Sequence, residues 1–197
     1  MNDLILLSDK KVARAMGVLD ESGIKSIWER NGAVVNVVGS VAMGLIINHN
    51  DIDLHVYSSG ITEESSFGIV AQIAKNSNVR EITCINGLNT DECCVAWHLA
   101  YEASNGEIWK FDIIHIEKGT RYDGFFEAMA EKIRVCLTTR TKETILNLKA
   151  LTPVSEKISG VEYYEAVIEC GITDYGEFID WVAKRRKNPR KDYWFPK

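Results

Sequence analysis

The chain has 197 residues, 46% of them hydrophobic and 26% charged, a balance that excludes an intrinsically disordered chain and suits one ordinary domain, alone or with a small helical extension. The net charge is −5, and since Lys184, Arg185, Arg186, Lys187, Arg190 and Lys191 together carry +6, the rest of the chain carries −11, which argues against nucleic acid as a general partner. The start MNDLILLSDKKVAR lacks the basic segment and long apolar stretch of a secretory signal, and no segment approaches the roughly 18 apolar residues of a membrane span, so the expectation is a cytoplasmic protein with no membrane partner.

Residues 8 to 30 read as one or two helices, with Ser8 as N-cap, Val12, Met16, Val18 and Leu19 facing inward and Gly23 as a break. Asn31-Gly32 marks a turn, and the β-branched run 33 to 38 reads as a strand buried on both faces that ends at Gly39-Ser40. Residues 41 to 47 are expected to form a short helix. Then Asn48-His49-Asn50 turns the chain into the alternating strand DIDLHVYS, closed by the loop Ser58-Ser59-Gly60. Residues 62 to 75 fit an amphipathic helix with Phe67, Ile69, Val70 and Ile73 inward, followed by a strand from Val79 to Ile85. Two further strands, 93 to 103 and 108 to 116, flank Asn105-Gly106, a hairpin signal, and should pair antiparallel. Helical patterns at 123 to 138, 141 to 151, 160 to 170 and 174 to 187 complete the chain, broken at Pro153 and at Gly171 to Thr173. The predicted class is α/β (α+β): a mixed sheet with helices packed on it in residues 1–120, then a helical region over 121–197.

Five cysteines, Cys84, Cys93, Cys94, Cys136 and Cys170, form an odd set with no C-x-x-C, which fits neither a disulfide framework nor a structural zinc site. They read as reduced, mostly buried thiols. The basic run at 184 to 191 reads first as a solvated helix end, with Trp194 and Phe195 nearby as the alternative of a stacking surface.

Chemistry concentrates on the strand beginning at Asp51. Alternation puts Asp51, Asp53 and His55 on one face and Ile52, Leu54 and Val56 on the other, so two carboxylates stand about 7 Å apart along the strand. Like charges that close call for a cation, and Mg²⁺, a hard ion that takes one or two carboxylates and completes its shell with water and phosphate, suits the position. Asp112 interrupts the apolar run FDIIHI, where an unpaired carboxylate is costly; if that strand neighbours 51 to 57, three carboxylates serve two metal ions. Val38-Gly39-Ser40 turns a strand into a short helix whose free N–H groups favour an anion.

A hydrophobic residue, Gly-Ser, ten intervening residues and Asp-Ile-Asp-Leu, completed by a later strand aspartate, resembles the signature of the DNA polymerase β-like nucleotidyltransferase superfamily, in the manner of its small antibiotic-modifying and minimal members. The resemblance spans roughly residues 33 to 116. It implies a nucleotidyltransferase-type sheet and transfer of a nucleoside monophosphate from a nucleoside triphosphate to a hydroxyl of a small-molecule or protein acceptor. By the same resemblance Gly39 and Ser40 hold the triphosphate, while Asp51, Asp53 and Asp112 bind two Mg²⁺ ions, which Mn²⁺ can replace, and carry the catalysis. The sequence departs from the pattern at Asn50, where many members have Ser, and in lacking an obvious paired-basic motif.

Two other readings compete. One is a catalytically silent nucleotide-binding module on the same fold. The other is a metal-dependent phosphohydrolase using the alternating His49, Asp51, Asp53 and His55. His55 reads rather as a neighbour of the site, His98 and His115 as structural, and Lys110, Lys118 and Arg121 as solvated lysines and arginine that could meet phosphate. Tyr163, Tyr164, Tyr175 and Trp181 read as helix core.

Overall fold

A computed structural model describes residues 3–188 and 193–196. The elements run α1 (Asp3–Ser22), α2 (Ile24–Arg30), β1 (Val34–Val38), α3 (Gly39–Ala42), β2 (Asp51–Ser58), α4 (Glu63–Ile73), β3 (Val79–Asn86), β4 (Cys94–Glu102), β5 (Ile108–Glu117), α5 (Phe125–Cys136), α6 (Thr139–Leu151), α7 (Gly160–Ile168) and α8 (Tyr175–Lys187). Gly23 takes φ 69° between α1 and α2, a left-handed conformation that interrupts a helix at little cost only for glycine. Thr62 and Thr138 cap α4 and α6 by exchanging hydrogen bonds with the residues three positions on, Ser65 and Thr141.

The chain divides into two compact units. The unit made of Ala13–Val41 and Asn50–Glu127 holds a five-stranded mixed sheet in the order β1-β2-β5-β4-β3. β2 and β5 are parallel, and the other neighbours are antiparallel. One sheet face is apolar: Ile52, Leu54, Val56, Val95, Trp97, Leu99, Tyr101, Phe111 and Ile113 are all buried, together with Ile24 and Trp28 of α2 and Ile69, Val70 and Ile73 of α4. Removing these side chains from water is the principal stabilisation of this unit.

His115 lies in that core at 1% exposure. Its Nδ1 and the Nε1 of Trp97 each sit 3.0 Å from Ser66 Oγ, and its ring meets Trp28 edge-on at 4.7 Å between centroids. Burial pushes its pKa from 6.5 down to about 4, against a smaller opposing pull from Glu117. The folded state therefore favours the neutral ring. Its contribution is complete above pH 6.5 and is lost as pH falls through the window from 6.5 to 4, a loss of about 3 kcal/mol for a shift of this size. Urea unfolding between pH 7 and 4 should show this decline, and His115→Gln should flatten it; an equally steep decline in the variant would place the acid sensitivity elsewhere.

The other unit comprises Met1–Val12, Ala42–His49 and Ala128–Lys197. Its core includes Ile145, Leu146 and Leu148 of α6, Ala166 and Val167 of α7, and Phe178 and Val182 of α8. Tyr163 stacks on Phe178 at 4.7 Å. The buried carboxylates Glu165 and Glu162 are paired with Arg185 at 2.8 Å and Arg186 at 2.9 Å, which compensates their desolvation. Two members of the basic run are thus occupied in the structure rather than offered to a ligand; Arg190 and Lys191 lie outside the described residues. Trp194 is 2% exposed and donates to Glu169, so the stacking surface envisaged for it is not there.

Several local expectations are corrected. Ser8 does not cap a helix: α1 begins at Asp3, and Ser8, fully buried within it, donates to the Gly44 carbonyl at 2.9 Å. α3 has four residues, and 43 to 47 continue without regular structure because Gly44 adopts φ 67°. Met16 and Phe67 are exposed at 37% and 49%, although Phe67 still meets the Trp97 ring edge-on at 4.7 Å. All five cysteines are free, as expected, but only Cys94 is buried.

Candidate active site

The second face of the sheet carries Asp51, Asp53 and His55, because β2 alternates. The register sets Val38 of β1 opposite Asp53 of β2, Asp53 opposite Asp112 of β5, and Asp112 opposite His98 of β4. Residues opposed across a ladder point to the same face, so Asp53, Asp112 and His98 form one row across three adjacent strands, each step about 4.8 Å. Asp51 lies two residues up β2 on that face, opposite Lys110. Asp51, Asp53 and Asp112 are all half-buried, and Lys110 is exposed.

At the end of β1, Gly39 takes φ 64° and turns the chain into α3. A Cβ added there would stand 1.9 Å from Asp53 Oδ2 and 2.7 Å from Asp53 Cγ. The glycine is therefore required twice, for its backbone conformation and for the space into which the Asp53 carboxylate fits. Ser40 follows, half-buried.

Asp112 Oδ1 is 2.5 Å from His98 Nδ1. Further along the same face His55 is buried beside Phe126, their ring centroids 5.1 Å apart, and its Nδ1 is 3.9 Å from Glu127. Tyr57 donates to Glu127 at 2.8 Å and Asn36 does so at 3.1 Å. Burial raises the Glu127 carboxyl, yet hydrogen bonds from His55, Tyr57 and Asn36 outweigh it and hold the pKa at about 2; the same burial and the carboxylate push the Tyr57 phenol well above 10. This cluster ties Phe126 and Glu127 to the strand face beside Asp53. His49 is exposed in the loop before β2, while Lys118 and Arg121 are exposed beyond β5.

The carboxylates share a face and a row, but among the described residues no three His, Cys, Asp or Glu are grouped closely enough to hold a metal ion. Asp53 packs against Gly39 and Asp112 bonds His98 instead. Their chemistry nevertheless fits a hard divalent cation: all three donors are carboxylate oxygens, partly open to solvent, on neighbouring positions of rigid strands. Sequence reasoning overlooked His98 and Glu127 as members of this face. For His98 only half of the signal was present: Asn105-Gly106 announces the hairpin, but it is the three-residue loop 104–106 that sets His98 opposite Asp112.

No protein-family model matches the chain, and no curated protein matches it. Solved structures do. The non-canonical poly(A) polymerase GLD-2 in complex with GLD-3 superposes with a TM-score of 0.55 at 14% identity, over 89% of this chain and 61% of the other. The Cid1 poly(U) polymerase bound to MgGTP gives 0.57 at 16% identity, over 81% and 50%, and a cytoplasmic RNA terminal U-transferase gives 0.54 at 17%, over 81% and 47%. The fold is that of the DNA polymerase β-like nucleotidyltransferases. Its mixed sheet with flanking helices is the expected class. The chain spans about half to three-fifths of the length of these polymerases. Among the described residues no helix is long and apolar enough to cross a membrane.

Proposed function

We propose that the chain transfers a nucleoside monophosphate from a nucleoside triphosphate to a hydroxyl acceptor. The observation that carries this reading is the row of Asp53 and Asp112 on adjacent parallel strands, with Asp53 seated against the Gly39-Ser40 turn. Asp51, Asp53 and Asp112 would hold divalent cations, Mg²⁺ or Mn²⁺. Such ions, when bound, neutralise charge on the phosphates and on the attacking and leaving oxygens.

The chain's own groups have three tasks. Backbone N–H groups at Gly39 and Ser40, with the Ser40 hydroxyl, bind the triphosphate tail. The strands hold the carboxylates in fixed register, so positioning comes from rigid elements. Asp112 receives the acceptor proton as the acceptor oxygen bonds to the α-phosphorus; the bond to the β-phosphate oxygen breaks, and pyrophosphate leaves with its electron pair. All these residues fall within 1–120, which we assign as the catalytic domain, with 121–197 as a helical region contributing none of them.

The similar polymerases are named for poly(A), poly(U) and terminal U transfer to RNA. An RNA 3′ hydroxyl therefore joins small molecules and proteins among the acceptors to test, despite the acidic body. The phosphohydrolase reading is less supported, because His55 is buried and engaged by its neighbours. The silent-module reading leaves three aligned carboxylates without a purpose.

The test is incubation with α-labelled nucleoside triphosphates, Mg²⁺, and pools of RNA oligonucleotides, small hydroxyl compounds and proteins. Expected is label on one acceptor class with pyrophosphate released only in its presence. Orthophosphate release that needs no acceptor would favour hydrolysis instead and overturn the reading.

A further inference from the structure

We infer that His98 is a positioning residue that fixes the carboxylate of Asp112 for cation binding, an inference that rests on the metal-site reading above. Three observations support it. His98 and Asp112 are direct register partners across the antiparallel β4/β5 ladder. Their side chains meet at 2.5 Å between Nδ1 and Oδ1, a contact closer than the roughly 2.7–2.9 Å usual for a charge-assisted N–H···O hydrogen bond. On the same face of β4, the positions flanking His98 are Ala96 and Ala100, which carry no polar side-chain atom. From that strand His98 alone reaches Asp112.

The geometry gives the contact a direction. Asp112 stands between Asp53 on one side and His98 on the other. The two oxygens of a carboxylate diverge, so an imidazole holding one of them from the β4 side turns the other toward the β2 side, where Asp53 lies. An unanchored aspartate at this position would rotate away from the like charge on the neighbouring strand. Hydrogen bonding of a ligating carboxylate by an outer partner is worth roughly 10- to 100-fold in metal affinity.

The experiment measures Mn²⁺ binding to the full chain by electron paramagnetic resonance, without nucleotide, for the native protein and for His98→Ala, His98→Phe, His98→Gln and Asp53→Ala. Far-UV circular dichroism and thermal unfolding check each variant's fold. Affinity is expected to fall about 10-fold or more in His98→Ala and His98→Phe and to recover substantially in His98→Gln, whose amide N–H can replace the imidazole donor. In the metal-free protein, ¹⁵N spectra should show the His98 ring nitrogens shifting in Asp112→Asn and not in Lys110→Ala. Native Mn²⁺ binding that all three folded His98 variants retain would overturn the positioning role while leaving the metal site intact. Native binding no better than that of Asp53→Ala would remove the metal site and this inference with it.

Discussion

Asp53→Asn is expected to lower label transfer by about 1,000-fold or more while leaving the protein close to native stability. The two halves of this expectation come from one arrangement. Asp53 faces Asp112 across a parallel ladder, and two carboxylates at that spacing repel by an amount on the order of 1 kcal/mol once solvent screening of half-exposed groups is allowed for. Asparagine has nearly the same shape, so the packing against Gly39 survives and the repulsion is relieved. The cation-binding charge is lost, however, and in phosphoryl transfer most of the rate comes from such electrostatic stabilisation. Asp112→Asn should lose transfer likewise, and a chelator should silence the native protein until Mg²⁺ or Mn²⁺ is restored. The comparison requires thermal unfolding and initial rates on the same preparations. Transfer within tenfold of native by Asp53→Asn would sink the proposed site, and a large loss of stability would show that Asp53 is kept for the fold. Stability sacrificed at a functional position is the usual signature of such a site.

What could be read in the sequence follows from the range of the forces involved. The alternation of Asp51, Ile52, Asp53 and Leu54 is a local consequence of the strand's period of two, so the polar and apolar faces of β2 were legible. The Asn105-Gly106 turn likewise announced the β4/β5 hairpin. The parallel pairing of β2 with β5 brings together residues about sixty positions apart, and only the lone aspartate in the apolar run FDIIHI hinted at it. Ser8 looked like a cap because hydroxyls favour helix starts; its bond to Gly44 is a contact between distant segments that no local pattern carries. Phe67 has the right helical spacing for burial, yet the helix places it at the edge of the core. The polymerase-like signature conveyed the carboxylates and the Gly-Ser turn but said nothing of His98 or Glu127. Both belong to this chain's own way of supporting the face, and both become visible only when register is known.

Gly39→Ala tests how tightly the turn and the carboxylate are joined. Glycine at φ 64° gives way to a residue for which the left-handed region costs roughly 1 to 2 kcal/mol. The new methyl group also enters a space where Asp53 Oδ2 would lie 1.9 Å away and Asp53 Cγ 2.7 Å away, distances that no packing tolerates. Either the turn or the carboxylate must move, so both stability and transfer should fall, with transfer reduced at least about 100-fold if a displacement of an ångström at the reacting groups has its usual effect. A double-mutant cycle separates the two causes. In an Asp53→Ala background the colliding carboxylate is gone, and of the three atoms nearest the added methyl Asp53 Cβ, at 3.1 Å in the present geometry, remains. There Gly39→Ala should cost little beyond its left-handed strain, and the difference between the two backgrounds, read from urea unfolding, is the collision itself. Equal costs in both backgrounds would mean that the turn yields without disturbing Asp53, and the close seating of that carboxylate on Gly39 could then not be what fixes it beside the proposed triphosphate site.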